Sequence, residues 1–166
     1  FHNLAVKADG TVMAWGINDF GQGTVPAGLG NVVRVAGGVY FSVALKADGT
    51  VVAWGDNSRG QQIDVPPGLN NVVAIAVGYH HSLALKSDGT LTAWGANSAG
   101  ESTVPANLTN VVAVAAGGVH SLAVKADGTV VAWGFDNVRQ ATVPAGLSNV
   151  VAVAAGDAHS LALVKP

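Results

Sequence analysis

Four histidines recur at one position of the sequence pattern, and each is followed by a small polar residue. The four are His2, His81, His120 and His159. Repeated imidazoles could surround a metal ion, because neutral imidazole is a frequent metal ligand. Phe41 occupies the same position in the remaining copy, however, so the position works without a ligand atom. We therefore expect one structural hydrogen bond per repeat, since buried polar groups are normally paired.

The serines after these histidines raise the question of nucleophilic catalysis. They are Ser42, Ser82, Ser121 and Ser160, with Asn3 in the first copy. A His-Ser dipeptide in a strand is not a catalytic pair, because adjacent residues point to opposite faces of a sheet. The serines also lack the strand-turn-helix context of a nucleophile elbow. The sequence therefore predicts no catalytic residue and a protein that is not an enzyme.

Motifs for metals and cofactors do not occur in the sequence. The chain has no cysteine, which excludes thiolate nucleophiles, disulfides and cysteine-based metal sites. Its carboxylates show no Asp-x-Asp-x-Asp spacing for calcium, and it has neither a phosphate-binding loop nor a dinucleotide-binding glycine motif. We expect no metal site and no cofactor.

The composition argues against two classes of partner. Only 11% of the 166 residues are charged and the formal net charge is −2, whereas a nucleic-acid-binding protein normally carries a basic patch. No apolar run approaches the ~18–20 residues of a membrane-spanning helix. The 22 glycines and 6 prolines interrupt every long helical window. We expect no nucleic-acid partner, no membrane span and little helix.

An internal repeat dictates the elements that position all these residues. Trp15, Trp54, Trp94 and Trp133 are separated by 39, 40 and 39 residues, and each stands between Ala and Gly. Asp-Gly pairs and Val-Pro pairs recur at nearly the same spacing. A period of about 40 residues points to a solenoid, an array or a propeller.

Within one repeat the pattern predicts short antiparallel strands. We label them A (Val111–Ala116), B (His120–Lys125), C (Thr129–Trp133) and D (near Thr142–Val143). Asp127-Gly128 between B and C is a hairpin signal, because Gly accepts the positive φ of such turns. Four antiparallel strands form the blade of a β-propeller. The predicted fold class is all-β, a β-propeller of four-stranded antiparallel blades with about four repeats of ~39 residues.

The segment NVVAVAAGGVHSLAVKADGTVVAWG, followed by an Asn-containing loop and TVPAGL, resembles the repeat of the regulator of chromosome condensation family. It is most similar to the short bacterial type, of which the secreted β-lactamase inhibitory propeller protein is a member. The resemblance covers essentially the whole chain. It implies a propeller that usually closes as a ring of more blades than four repeats supply. It identifies no partner, because this scaffold carries unrelated roles.

The repeats divide one propeller domain, residues 1–166, into five parts. The units are approximately 1–37, 38–77, 78–116 and 117–155, with 156–166 as a partial fifth. The chain begins in a strand B and ends with a strand A and a further strand B, so four blades do not close cleanly. We expect an arc of a larger ring, or a ring that a homo-oligomer completes.

The strand order places the loops on two faces. The B–C turns and D–A connections form the repetitive face, where Lys-Ala-Asp-Gly-Thr recurs as turn chemistry. The A–B and C–D loops form the variable face, where the aromatic residues other than tryptophan lie. Exposed Tyr, Phe and Arg on a rigid rim are typical of protein-binding hot spots. The predicted partner-binding residues are Tyr40, Phe41, Tyr79, His80, Phe20, Arg59, Phe135 and Arg139.

The main functional hypothesis is a non-catalytic scaffold that binds another protein through the variable face. One alternative is a structural secreted or surface repeat protein without a specific soluble ligand. Another is a carbohydrate-binding propeller, because Tyr79 beside Asp157 or Asn137 could hold a sugar. The resemblance adds β-lactamase inhibition, and also nucleotide exchange on a small GTPase, which the lack of an insertion between strands disfavours. It further implies an extracellular or cell-surface location in a bacterium.

Overall fold

The computed structural model describes residues 2–58 and 63–165, and the regular elements in these ranges are all β-strands. In chain order they are β1 (His2–Val6), β2 (Val12–Gly16), β3 (Val32–Gly37), β4 (Phe41–Lys46), β5 (Val51–Gly55), β6 (Val72–Val77), β7 (His81–Lys86), β8 (Leu91–Gly95), β9 (Val111–Ala116), β10 (His120–Lys125), β11 (Val130–Gly134), β12 (Val150–Ala155) and β13 (Ser160–Val164). The predicted all-β class is confirmed, and strands A, B and C recur in every complete repeat.

The strands pair into five antiparallel sheets that follow one another along the chain. Sheet 1 is β1–β2, sheet 2 is β3–β4–β5, sheet 3 is β6–β7–β8, sheet 4 is β9–β10–β11 and sheet 5 is β12–β13. Each strand A lies beside strand A of the next sheet, so β3, β6, β9 and β12 form one layer. This is the arrangement of propeller blades. Across the described residues, sheets 1 and 5 do not pair with each other, and the blades form an open series.

The predicted fourth strand of each blade was wrong for the described residues, where no complete sheet has more than three strands. The Thr142 N–H donates to the carbonyl oxygen of Arg139 over 3.2 Å, which closes a turn instead of extending a ladder. Pro144 then has no N–H to donate. The equivalent Val25 and Val65 pack against the buried clusters between sheets. The segment therefore contributes apolar contacts to the core rather than a strand.

The B–C turns have the structure that their sequence predicts. Gly128 has a φ of 77°, and its N–H donates to the Lys125 carbonyl oxygen over 2.9 Å. Asp127 accepts from the backbone N–H and the hydroxyl of Thr129, at 3.0 and 2.6 Å. These bonds, together with the Lys125 ammonium 3.1 Å away, lower the pKa of Asp127 to about 2. The recurring motif of the repetitive face is turn chemistry, as expected.

A shared backbone acceptor joins sheet 1 to sheet 2 and sheet 3 to sheet 4. Trp54 Nε1 and Ser42 Oγ of sheet 2 both donate to the Gln22 carbonyl oxygen, at 2.9 and 2.8 Å. Gln22 lies in the C–D loop of sheet 1, so the bonds cross the junction between the two sheets. The residues that repeat this pattern between sheets 3 and 4 are Trp133, Ser121 and Glu101. We call this acceptor the junction carbonyl.

Each of these serines also contacts a histidine of the preceding sheet. His2 Nε2 lies 2.7 Å from Ser42 Oγ, so the hydroxyl bonds to the ring on one side and to the junction carbonyl on the other. The equivalent pairs are His81 with Ser121 at 3.0 Å and His120 with Ser160 at 2.9 Å. The prediction of a structural hydrogen bond at this histidine position is confirmed for His2, His81 and His120. The serine is thus a link between sheets.

The junction between sheets 2 and 3 departs from this pattern. Phe41 stands in place of the histidine and belongs to the buried cluster that includes Val72 and Trp94. Ser82 Oγ, which would otherwise contact that ring, is buried and has no hydrogen-bond partner within residues 2–58 and 63–165. An unpaired buried hydroxyl costs about 1–3 kcal/mol. Apolar packing therefore replaces the histidine–serine contact at this junction.

Removal of two equivalent serines should have different effects. Ser121→Ala deprives the buried His81 ring of its partner, so we expect the free energy of unfolding to fall by about 1–3 kcal/mol. Ser82→Ala removes a buried hydroxyl without a described partner, so we expect the free energy of unfolding to stay the same or to rise by up to about 1–3 kcal/mol. Urea denaturation of both variants beside the parent chain measures the difference. Equal losses for the two variants would contradict the assigned contacts.

His81 should make the stability depend on pH. Burial, followed by the neighbouring His120 and His80, lowers its pKa from 6.5 to about 4. Between these values the unfolded chain binds a proton that the folded chain excludes, so stability is full above 6.5 and falls as the pH decreases towards 4. The loss from this group is roughly 3 kcal/mol. Burial also lowers the pKa of His2 and His120, which adds to the same trend.

The measurement is chemical denaturation at about pH 7 and about pH 4.5, with His81→Gln as the matched variant. The variant should lose the part of the pH-dependent decrease that comes from His81, because glutamine keeps a polar side chain but does not titrate. A parent chain whose stability is the same at both pH values would refute the linkage.

Candidate functional site

Backbone hydrogen bonds connect the A–B loops of neighbouring sheets on the variable face. The Val39 N–H donates to the Tyr79 carbonyl oxygen, and the Tyr79 N–H donates to the Gly118 carbonyl oxygen, both at 3.1 Å. The Gly118 N–H donates in turn to the Asp157 carbonyl oxygen, also at 3.1 Å. Four successive sheets are thus linked at one rim. Side chains on these loops are held in fixed relative positions.

The C–D loops are anchored to the same rim. The Asp56 N–H donates to the Tyr40 carbonyl oxygen at 2.9 Å, and the Ala96 N–H donates to the His80 carbonyl oxygen at 2.8 Å. Buried side chains brace these loops from within, as where Gln22 Oε1 accepts from the Phe20 N–H at 2.9 Å. The residues that brace the other described loops are Glu101 and Gln140.

Three aromatic rings form a continuous ridge across sheets 1, 2 and 3. The Phe20 and Tyr40 ring centroids are 4.5 Å apart, and those of Tyr40 and His80 are 6.3 Å apart. Phe20 is 47% exposed, while Tyr40 and His80 are half-buried. We call Phe20, Tyr40 and His80 the aromatic ridge. The structure brings together three of the predicted partner-binding residues in one patch.

Tyr79 lies on the inner side of the rim and points towards sheet 5. Burial and then a hydrogen bond with the Asp157 carboxylate raise the pKa of Tyr79 above its usual value. The Tyr79 ring passes over Gly118, where a Cβ would lie 3.3 Å from Tyr79 Cε2 and would overlap Asp157. A cavity of about 360 Å³ beside these residues is lined largely by glycines of the A–B loops. The predicted neighbourhood of Tyr79 and Asp157 is therefore present.

Phe135 and Arg139 lie on the C–D loop of sheet 4 and are both exposed. Arg139 has a φ of 67°, at a position where Gly21 and Gly100 have φ values of 78° and 83°. A non-glycine residue in this left-handed region costs roughly 1 kcal/mol. Arg139 is thus presented to solvent from a strained backbone position, a feature that clusters at functional sites.

Two of the predicted partner-binding residues, Phe41 and Arg59, are not among those that the structure describes on the rim. Phe41 was expected on the rim, but it is the first residue of β4 and is 0% exposed. The histidine position faces the junction between sheets, so its aromatic ring is turned into the core and cannot contact a partner. Arg59 lies outside the described residues.

Sequence reasoning missed the residues that shape the rim. Gln22 and Glu101 are almost fully buried, with exposures of 0% and 2%, although both types are usually exposed. Their recurrence with Gln61 and Gln140 at one position of the repeat was the available signal. The predicted partner-binding residues also did not include Ile17 and Val138, which are 43% and 58% exposed on the variable face. These apolar residues extend the surface that a partner could cover.

Two further findings concern the described residues only. No group of three or more His, Asp or Glu side chains within residues 2–58 and 63–165 is arranged to hold a metal ion. In the same part of the chain, no helix is long and apolar enough to cross a membrane.

Comparison with protein families finds one matching model. The regulator of chromosome condensation (RCC1) repeat matches residues 1–22, 32–61, 72–101 and 111–140. From the second match onward, each begins in a strand A and ends in a C–D loop, so the family repeat coincides with the three-stranded sheets. No curated protein matches the chain.

Several solved structures share the fold. Prp20p from Saccharomyces cerevisiae aligns with a TM-score of 0.82 and 24% identity, over 97% of this chain and 53% of that chain. The ectodomain of the receptor kinase CR4 from Physcomitrella patens aligns with a TM-score of 0.81 and 22% identity, over 99% of this chain and 47% of that chain. Human WBSCR16 aligns with a TM-score of 0.77 and 22% identity, over 99% of this chain and 56% of that chain. The chain spans about half the length of these proteins, and at such identities the likeness concerns the fold alone.

Proposed function

The chain belongs to the regulator of chromosome condensation (RCC1) repeat family, and from that premise we propose that it is a non-catalytic scaffold that binds another protein through its variable face. The observation that carries the proposal is the aromatic ridge of Phe20, Tyr40 and His80, whose rings are 4.5 and 6.3 Å apart. The role requires no catalytic group, metal or cofactor.

The ridge has the physical properties of a protein-binding surface. Aromatic side chains contribute large contact areas and lose little conformational entropy on binding, so they dominate interface energies. The backbone bonds that fix Tyr40 and His80 reduce the ordering cost of association. Exposed apolar neighbours such as Ile17, at 43%, enlarge the patch. The ridge is therefore the centre of the proposed interface, with Phe135 and Arg139 on its far side as secondary contacts.

Proteins of similar fold support a protein partner. The reported binding properties of Prp20p concern Gsp1p and histones, and yeast RCC1 (Prp20) has been crystallised with Kap60. We carry over the class of partner and not its identity. The sequence resemblance suggests a narrower form, a bacterial extracellular or surface protein that inhibits a β-lactamase. A nitrocefin hydrolysis assay with purified β-lactamases tests that form directly.

A second candidate function is carbohydrate binding at Tyr79. The Tyr79 hydroxyl contacts the Asp157 carboxylate. Beside an open cavity, the face of an aromatic ring can stack on a sugar while a carboxylate accepts hydrogen bonds from the sugar hydroxyls. A glycan array distinguishes this candidate. Binding that is lost in Tyr79→Phe and Asp157→Asn but kept in Tyr40→Ala would favour a sugar over a protein.

The main proposal predicts that Tyr40→Ala weakens partner binding by about 2 kcal/mol, or roughly thirtyfold in Kd. The immobilised parent chain first captures proteins from the culture of the source organism, and the affinity for the captured protein is then measured in purified form. Val112→Ala is the matched control, because Val112 is 56% exposed but lies beside the turns of the repetitive face. Equal affinity of the Tyr40 variant and the parent would refute the role of the ridge.

Arg139→Gly should separate stability from binding. Glycine relieves the positive φ, so we expect the free energy of unfolding to rise by up to about 1 kcal/mol. The same change removes a cationic side chain from the variable face and should weaken partner binding severalfold. Urea denaturation and titration with the captured protein give the two values. A more stable variant with unchanged affinity would remove Arg139 from the proposed interface.

A further inference from the structure

The cavity beside Tyr79 has one carboxylate and neither lysine nor arginine among its described lining residues. It encloses about 360 Å³, and its walls are the ends of β3, β6, β9 and β12 with the loops that follow them. Val39 and Val77 make the walls apolar, and Asp157 supplies the carboxylate. Burial lowers the pKa of His2, which also lines the cavity, below 6.5, so its ring is neutral at pH 7. The cavity therefore combines apolar walls with one negative charge.

An aromatic ring and this carboxylate converge at the edge of the cavity from two different sheets. Tyr79 follows β6 of sheet 3, Asp157 follows β12 of sheet 5, and the Tyr79 hydroxyl donates to the Asp157 carboxylate. A Cβ on Gly118, the equivalent residue of sheet 4, would lie 2.5 Å from Asp157 Oδ1 and 3.3 Å from Tyr79 Cε2. Gly118 does not have a positive φ, so close approach and not backbone conformation calls for glycine here. The ring and the carboxylate are thus held side by side above sheet 4.

The charges of the rest of the chain favour a cation at this place. The lysines lie at the other face, at or directly after the last residues of the strands B, and are Lys7, Lys46, Lys86, Lys125 and Lys165. Four of them are 3.1–3.7 Å from an aspartate of their own turn. The described carboxylates of the variable-face loops include Asp19, Asp56 and Asp136 beside Asp157, whereas Arg139 is the described arginine of these loops. An excess of carboxylates raises the local concentration of cations.

An alkylammonium group matches both properties of the cavity. Its N–H groups donate to a carboxylate, the face of an aromatic ring attracts a cation, and its carbon chain packs on apolar walls. A guanidinium is matched less well, because its fork uses both oxygens of a carboxylate at once and the Tyr79 hydroxyl already bonds to Asp157. An anion is repelled by the same carboxylate.

We propose that this cavity binds an alkylammonium group, with the ammonium between the Asp157 carboxylate and the Tyr79 ring and the carbon chain along Val39 and Val77. The group comes either from a free primary amine or from a lysine side chain of a protein partner. Only the second source rests on the proposed function. The site itself does not involve the aromatic ridge.

The first experiment is an NMR titration of the full chain at pH 7 with n-pentylamine, beside 1-pentanol as an uncharged ligand of the same shape. The amine should bind with a Kd of about 1–10 mM, as expected for so small a ligand, and the alcohol at least about tenfold more weakly. Signals of Tyr79, Gly118 and Asp157 should shift with the amine. Equal binding of the two compounds, or no saturable shift by about 100 mM amine, overturns the proposal.

Matched variants test the two groups that hold the ammonium. Asp157→Asn should weaken pentylamine binding about fivefold, because it removes the charge and keeps the shape. Asp19→Asn is the control, since Asp19 is exposed on the same face and does not line the cavity. Tyr79→Leu should weaken binding about threefold through loss of the aromatic ring. Parent-like binding by Asp157→Asn, or an equal loss in Asp19→Asn, contradicts the assigned site.

Tyr79→Phe separates the amine from the sugar considered above. The ring and the carboxylate both remain in this variant, so pentylamine binding should stay within about twofold of the parent value. A sugar that uses the Tyr79 hydroxyl loses its binding in the same variant. Loss of pentylamine binding in Tyr79→Phe would contradict an ammonium held by the ring.

The captured protein partner distinguishes the two sources of the amine. If a partner lysine is the ligand, Asp157→Asn should lower the affinity for the partner about fivefold, and acetylation of the partner's lysines should lower it similarly. Partner affinity that is unchanged by both, with pentylamine binding lost in Asp157→Asn, assigns the site to a free amine. Equal partner affinity of Tyr40→Ala and the parent refutes the aromatic ridge alone, because the pentylamine titration does not involve Tyr40.

Discussion

The junction carbonyl is the interaction on which both the sheet series and its variable face depend. At Gln22 the backbone oxygen accepts from Trp54 and Ser42 of the next sheet, while the side-chain oxygen of the same residue holds the Phe20 N–H. One buried residue therefore connects the core between two sheets with the loop that carries the ridge. A loop braced in this way keeps its shape whatever its exposed side chains are.

The separation between buried residues that brace the loops and exposed side chains on the loops explains how the repeats combine a constant framework with a varied surface. The histidine–serine contact and the serine bond to the junction carbonyl recur at the described junctions, apart from Phe41 and Ser82, where apolar packing takes the place of the histidine–serine bond. The exposed positions carry residues as different as Phe20, Ala99 and Val138. Because loop shape is set from within, surface residues are free to meet the requirements of a partner.

Much of the fold could be predicted because period and turn chemistry are local properties. The tryptophan spacing, strands A to C, the Asp-Gly turns and the structural role of the histidines followed from residues near each other in the chain. Strand D was wrong because Thr142 satisfies its N–H within its own loop. Phe41 was misplaced because its exposure depends on the neighbouring sheet. The residue pattern within one repeat does not predict how the neighbouring sheet packs against this position.

The sequence by itself determined the repeat, the class of fold, the loops that share a face and the lack of a recognisable catalytic motif. Only the tertiary structure decided which of the candidate residues meet. Phe20, Tyr40 and His80 come from three sheets and are far apart in the chain. A backbone bond from Val39 to Tyr79 links the loops of Tyr40 and His80, and buried Gln22 connects the Phe20 loop to sheet 2. The physical reason is that periodicity specifies each sheet, whereas the contacts between sheets depend on packing and on the shared carbonyl acceptors.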